Sequence, residues 1–136
     1  MICDESTGLT TAQEILEGPR LGIDLGGTSI TAVVMGKGAE VLGAAEGLTG
    51  DHTEVCPVLD RIVLIAKQAI TQAGIRAADL ISAGIGLPGE IDPVQGTLRS
   101  SPILPTWHNL PVGPMLQKRL GVSFAIENDA NAGSAP

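Results

Sequence analysis

Aromatic side chains are nearly absent from this sequence, in which Trp107 and Phe124 are the only two among 136 residues. A hydrophobic core must therefore be built from aliphatic side chains, and apolar residues make up 43% of the chain. A domain of this length buries roughly two thirds of the surface of its unfolded chain, so one domain is expected. The lack of aromatics also argues against the stacking platforms with which proteins hold single-stranded nucleic acids.

Basic residues are scarce as well. The chain has 8 Lys and Arg residues against 15 Asp and Glu residues, which gives a formal net charge of -7. Proteins that bind the phosphate backbone of DNA or RNA need a basic surface. Nucleic acid is therefore not an expected partner.

Cysteines are few and long apolar runs are missing. Cys3 and Cys56 are far apart and have no CxxC spacing, which indicates free thiols in a reducing compartment. The N-terminus lacks the basic and apolar regions of a secretory signal, and no window approaches the roughly 18 apolar residues of a membrane helix. A cytoplasmic protein without a membrane partner is expected.

The first half of the chain predicts strands followed by a helix. Residues 1–19 are polar and read as a flexible extension with at most a short helix over residues 12–17. From Arg20 onward, "LGIDL", "SITAVVM" and "AEVLGAA" are β-prone runs separated by glycine turns, which is typical of an antiparallel three-stranded meander. Apolar residues at three- and four-residue steps then predict one helix, with Thr53 as its N-cap and Gly74 as its stop.

The second half predicts two further strands and a second helix. The run "LISAGIGL" is typical of a buried strand, which Pro88 ends. A proline-rich loop is expected over residues 92–111, a helix over residues 112–120 and a strand over "VSFAI", followed by the start of another helix. The order β-β-β-α-β-α-β predicts an α/β fold with a mixed sheet in which the first, fourth and fifth strands are parallel.

Three polar clusters follow these parallel strands, and sites in such sheets lie beyond the carboxyl ends of the strands. We therefore expect the clusters to converge on one cleft. They occupy residues 24–28, 86–90 and 127–129.

The first cluster has the composition of an anion-binding loop. Gly26 and Gly27 let backbone N–H groups approach a phosphate, and the Thr28 hydroxyl adds a donor. A simple glycine hairpin is the alternative. Asp24 lies on an apolar strand, where a buried charge needs a partner; Mg²⁺ or its water shell would supply one, and so would N–H groups of its own turn.

The other two clusters have residues suited to a hydroxyl substrate. Asp129 can accept a hydroxyl proton as a general base while Asn128 orients the same substrate, although either residue could instead cap a helix. Gly86 and Gly89 either form only a turn or give a ligand close access to the backbone.

Four segments together are similar to the N-terminal lobe of ROK-family sugar kinases, above all the glucokinase branch. They are "GIDLGGTSITAVVM", "AGIGLPGEIDPVQG", "PILPTWHNLPV" and "IENDANAG", and the similarity extends over residues 20–132. It implies an actin-like, ribonuclease-H-like ATPase lobe that transfers the γ-phosphoryl group of ATP to a hexose hydroxyl with the help of Mg²⁺.

The resemblance assigns roles to individual residues. Those that face the magnesium ion and the phosphates are Asp24, Gly26, Gly27 and Thr28. Those that contact the sugar are Gly86, Gly89, Asn128 and Asp129, of which Asp129 is the catalytic base.

Two departures from the family pattern lead to further expectations. Ile103 stands where kinases of the family commonly have asparagine, which bears on the choice of sugar. The family also continues into a second lobe with a structural zinc site, whose ligands are not in this chain, and its full-length members are expected to be homo-oligomers. We therefore expect residues 20–136 to be a truncated first lobe, inactive without the second.

Two other functions remain open at this point. A noncatalytic remnant could bind a sugar or a partner protein without turnover. A sugar-responsive transcription repressor of the same family is the other alternative, but the roughly 19 residues before the first strand are too few and too acidic for a DNA-binding helix-turn-helix.

Overall fold

Residues 18–51 and 53–128 are described by the computed structural model, and this part of the chain contains seven strands and two α-helices. The expected helix over residues 12–17, the helix after Asn128 and Asp129 itself lie outside it. In chain order the elements are β1 (Arg20–Leu25), β2 (Ser29–Met35), β3 (Val41–Leu48), α1 (Val55–Ala73), β4 (Ser82–Leu87), β5 (Glu90–Asp92), β6 (Thr97–Ser100), α2 (Val112–Leu120) and β7 (Phe124–Asn128).

Five of the strands form one mixed sheet in the order β3-β2-β1-β4-β7. Short turns join β1 to β2 and β2 to β3, and both pairs are antiparallel. Helical connections lead into β4 and β7, and the pairs β1/β4 and β4/β7 are parallel. The predicted meander and the three predicted parallel strands are confirmed, so the carboxyl ends of β1, β4 and β7 lie at one edge of the sheet.

The stretch predicted as a proline-rich loop contains a second, two-stranded sheet. β5 and β6 pair antiparallel, and Gly96, with φ of 70°, lies in the turn between them. The hydrophobic pattern of the sequence does not predict these strands, because they are short and Leu98 is their only fully buried residue. The order is therefore β-β-β-α-β-β-β-α-β, with one hairpin more than the sequence predicted.

The long helix α1 ends as predicted but begins differently. Gly74 adopts a left-handed conformation with φ of 75° and caps the last turn. The N-cap is Glu54 and not Thr53. Both the N–H and the hydroxyl of Thr53 donate to Asp51 Oδ1, at 3.0 and 2.9 Å, so Thr53 stabilises the preceding turn.

Both helices pack on one face of the five-stranded sheet. Arg119 Nε of α2 lies 3.5 Å from Asp60 Oδ1 of α1, and both helices contribute to one core. Along β1, Leu21, Ile23 and Leu25 point into that core and are buried, whereas the residues between them are more exposed. The strands thus have a covered face and an open face. None of the described helices is long and apolar enough to cross a membrane.

Candidate functional site

The described residues of the three predicted clusters, 24–28, 86–90 and 127–128, meet at one edge of the sheet. Asp24 pairs with Gly86 in the β1/β4 register, and Gly86 pairs with Glu127 in the β4/β7 register. Neighbouring strands lie about 4.8 Å apart. Residues 26–28, which we call the glycine loop, follow β1 at the same edge as Gly89 and Asn128.

The glycine loop is a tight connection between β1 and β2. The Gly26 N–H donates to the Ser29 carbonyl oxygen at 2.9 Å, which closes the hairpin that was the alternative to a phosphate loop. Thr28 is exposed and both glycines are half-buried. A Cβ on Gly27 would lie 2.6 Å from Ile103 Cγ2, so the loop is packed at this point and a side chain there would displace Ile103.

A buried threonine that the sequence pattern did not single out holds the glycine loop from behind. Thr49 is fully buried, its hydroxyl donates to the Gly26 carbonyl oxygen at 2.8 Å, and its N–H donates to the Thr28 carbonyl oxygen at 2.8 Å. Arg61 of α1 donates from Nη1 to the Thr49 carbonyl oxygen at 2.7 Å. One threonine directly after a strand is not a signal in itself, because its loop partners Gly26 and Thr28 lie 23 and 21 positions earlier in the sequence and Arg61 lies 12 positions later.

Asp24 is exposed, which corrects the argument that a buried charge on β1 requires a cation. Its position alternates with the buried Ile23 and Leu25, so its carboxylate belongs to the open face of the sheet. Glu127 is at the same level two strands away, about 10 Å from it, with Gly86 between them. A carboxylate at this place suits Mg²⁺, which keeps several waters and takes only one or two protein carboxylates beside phosphate oxygens. Among the described residues, no group of three or more His, Cys, Asp or Glu is arranged for a metal ion.

Asn128 is the last residue of β7, whereas the sequence placed it after the strand. Its Nδ2 donates to the carbonyl oxygen of Gly89. Gly89 has φ of 150°, and a Cβ there would overlap the Ser100 carbonyl oxygen and lie 3.0 Å from Ser101 Cα. The glycine is therefore required by the backbone, and its carbonyl fixes the orientation of the Asn128 amide.

Two adjacent cavities include residues of these clusters, and each is large enough for a small ligand. The first, of about 420 Å³, is lined by Gly89, Glu90, Ile91, Pro93, Ile126, Glu127 and Asn128. The second, of about 400 Å³, lies on the open face and includes Asp24, Gly86 and Glu127 in its lining. The structure thus brings Gly89 and Asn128 together in one cavity and places Gly86 with Asp24 in the other, with Glu127 shared by both.

Comparison with known proteins identifies the family. Residues 20–135 match the ROK family. This chain belongs to the ROK family. It is 36% identical to a glucokinase of Thermotoga maritima over an aligned region of 112 residues. This region covers 82% of this chain and 34% of that protein. It is also 29% identical to a xylose repressor of Caldicellulosiruptor bescii over 119 residues, and this aligned region covers 86% of this chain and 29% of that protein.

A solved structure supports the same assignment. The ROK family glucokinase from Streptomyces griseus in complex with glucose and AMPPNP matches with a TM-score of 0.75 and 28% identity, over 86% of this chain and 35% of that chain. The predicted fold, an actin-like ATPase lobe, is confirmed. This ROK chain spans about a third of the length of these relatives. Because kinases and repressors share the lobe, its fold alone does not decide between them.

Proposed function

We propose that this ROK chain provides the phosphate-binding loop and the hydroxyl-binding strand end of an ATP-dependent hexose kinase, similar to a glucokinase. The observation that carries the proposal is the position of the glycine loop and of the Asn128–Gly89 pair at the same ends of parallel strands. Phosphoryl transfer depends mainly on holding two reactants in line and stabilising charge. An anion-binding loop and a fixed amide at one sheet edge suit that task.

The phosphate end of the site consists of residues 24–28. The Gly27 N–H and the Thr28 hydroxyl would contact phosphate oxygens of ATP. Gly26, whose N–H already donates to the Ser29 carbonyl oxygen, would let them approach closely because it has no side chain. Asp24 would hold Mg²⁺ through its water shell. The ion, when bound, would neutralise negative charge on the phosphates.

The sugar end consists of Asn128 and the residue that follows it. Because Gly89 holds Nδ2 of Asn128, the plane of the amide is set before a sugar arrives. Asp129 would then accept the proton of the attacking hydroxyl, a contribution on the order of 10²–10⁴ in rate. Gly89 lines the cavity beside Asn128, and Gly86 would contribute from the adjoining cavity on the open face.

The first experiment measures binding and turnover separately on the 136-residue chain. ¹⁵N NMR titrations with Mg·AMPPNP and with glucose are expected to shift the amides of residues 26–29 and of Gly89 and Asn128, respectively. We expect binding with little ATP-dependent glucose phosphorylation, because the relatives place about two thirds of their length outside this match. Absence of both sets of shifts would refute the proposed site.

The second experiment tests the site within a full-length glucokinase. A chimera replaces the matching third of the Thermotoga maritima glucokinase with this chain, and its turnover tests the site in a complete protein. Asp129→Asn is expected to lower kcat at least about 100-fold, because the base is lost. The matched control Glu40→Gln removes one carboxylate from an exposed turn and should leave kcat unchanged. An Asp129→Asn chimera as active as the parent chimera would exclude Asp129 as the base.

A sugar-binding lobe without catalysis is the second candidate. The similarity to a xylose repressor favours this candidate. The candidate includes two cases, the sugar-binding lobe of a repressor and a noncatalytic remnant of a kinase. It predicts sugar-dependent shifts at Gly89 and Asn128 with no response to Mg·AMPPNP at residues 26–29. The same two titrations therefore separate the two candidates.

A further inference from the structure

We propose that Thr49 is a positioning residue that directs the N–H groups of the glycine loop toward a bound phosphate. The inference rests on the proposed function, in which this loop takes an oligophosphate. Thr49 lies behind the loop and would act only through the loop backbone.

The direction of the loop amides follows from the bonds to Thr49. In a trans peptide the C=O and N–H groups point in opposite directions, and no described peptide bond is cis. The Gly26 carbonyl points at the Thr49 hydroxyl, so the Gly27 N–H points away from Thr49. The Thr28 carbonyl likewise points at the Thr49 N–H, which turns the Ser29 N–H away.

The loop needs such a tether because of its glycines. Glycine tolerates φ of either sign, so the peptide between Gly26 and Gly27 can rotate at little steric cost. A rotated peptide would turn its carbonyl oxygen, a negative end of a dipole, toward the phosphate. The hydrogen bond from the Thr49 hydroxyl selects the orientation in which the N–H faces outward.

Thr49 is itself held from the helix side. Arg61 donates to its carbonyl oxygen at 2.7 Å and to the Asp51 carbonyl oxygen at 3.3 Å. Gly50, with φ of 73°, leaves room for the guanidinium, since a Cβ there would lie 3.0 Å from Arg61 Cζ. Because Thr49 is fully buried, water cannot replace its hydroxyl without rearrangement of the loop.

The test compares Thr49→Val with Thr49→Ser in the 136-residue chain. Valine has nearly the shape of threonine but no hydroxyl, whereas serine keeps the donor. Residual dipolar couplings report the direction of the Gly27 N–H, and a titration with inorganic pyrophosphate reports binding. We expect Thr49→Ser to match the wild type. Thr49→Val should turn the Gly27 N–H and weaken pyrophosphate binding about tenfold, which corresponds to about one buried hydrogen bond.

Each outcome decides the proposal. An unchanged Gly27 N–H direction and unchanged affinity in Thr49→Val would overturn it, and so would equal losses in the serine and valine variants. If the wild type does not bind pyrophosphate, the proposed phosphate site fails, while the couplings still show whether Thr49 directs the loop. Should Thr49→Val not fold, Arg61→Gln removes the outer support and is expected to weaken pyrophosphate binding about threefold, about half the free-energy effect of the hydroxyl; an unchanged affinity would contradict the proposal.

Discussion

The covered and open faces of the five-stranded sheet are built from different residues. On the covered face, β1, β2 and β4 present aliphatic side chains to the two helices, and these side chains are almost fully buried. On the open face, the same strands carry the small or polar residues Gly22, Asp24, Thr31 and Gly84 beside the apolar Val33 and Met35 of β2. One face therefore stabilises the fold, while the other contributes carboxylates and open backbone to the candidate site.

The glycines show the same contrast at atomic scale. A Cβ on Gly43, which faces α1, would lie 2.5 Å from the backbone nitrogen of Ala73. A Cβ on Gly22, on the open face, would meet nothing within 4 Å. A glycine in the covered face is thus needed for helix packing, whereas Gly22 is not needed for any described contact.

The largest expected effect comes from the helix that covers the sheet. Ile62 of α1 is fully buried, and Ile62→Ala should lower the free energy of unfolding by about 3 kcal/mol, since it removes buried methyl groups and leaves a cavity. Leu64, two residues away, is 57% exposed, and Leu64→Ala should change stability by less than about 0.5 kcal/mol. Urea unfolding monitored by circular dichroism measures both. Equal losses would mean that the outer surface of α1 is also covered.

Replacement of glycine by alanine should change the stability in opposite directions on the two faces of the sheet. Gly43→Ala should destabilise the chain by about 2 kcal/mol, because the new methyl group must push α1 away from β3. Gly22→Ala should stabilise it by roughly 0.5–1 kcal/mol, because alanine loses less backbone entropy than glycine in a strand. Urea midpoints moving in opposite directions are expected. Destabilisation by Gly22→Ala would show that another segment packs against the open face.

The covered face is the part of the molecule that the sequence predicts best. The three- and four-residue apolar spacing of α1 and its terminal Gly74 were sufficient to define the helix, because burial on one side imposes that period. The bounds of α2 also agree with the prediction. The hairpin of β5 and β6 was missed, since with only Leu98 fully buried it shows no clear alternation.

The candidate site was predictable in its location but not in its detail. The polar clusters after β1, β4 and β7 could be placed at one edge from strand order alone. The exposure of Asp24, the division of Gly86 and Gly89 between two cavities and the support from Thr49 depend on contacts between residues distant in sequence. The roles of Asp24, Gly26, Gly27, Thr28 and Asp129 in ligand binding or catalysis stay predictions.

The smallest expected effect concerns the point where the core reaches the glycine loop. Ile103 is 43% exposed, and its neighbour Leu104 is fully buried in the core on the covered side. The Ser101 hydroxyl accepts hydrogen bonds from the N–H groups of both, at 3.2 and 3.1 Å, and so holds Ile103 against Gly27. Because the side chain is only partly buried, Ile103→Ala should cost less than about 1 kcal/mol of stability.

Ile103→Ala should change amide exchange in the glycine loop more clearly than it changes the free energy of unfolding. Loss of the side chain removes packing from the glycine loop. The Gly26 amide, which is bonded to the Ser29 carbonyl oxygen, should therefore exchange with deuterium several-fold faster, while amides in β1 and α1 keep their rates. Val94→Ala is the matched control, since Val94 is 92% exposed in the β5/β6 turn and its truncation should leave the Gly26 rate unchanged. If the Gly26 amide exchanges at the wild-type rate in Ile103→Ala, then Thr49 and the hairpin bond hold the loop without help from Ile103, and the packing of the core does not contribute to the order of the glycine loop.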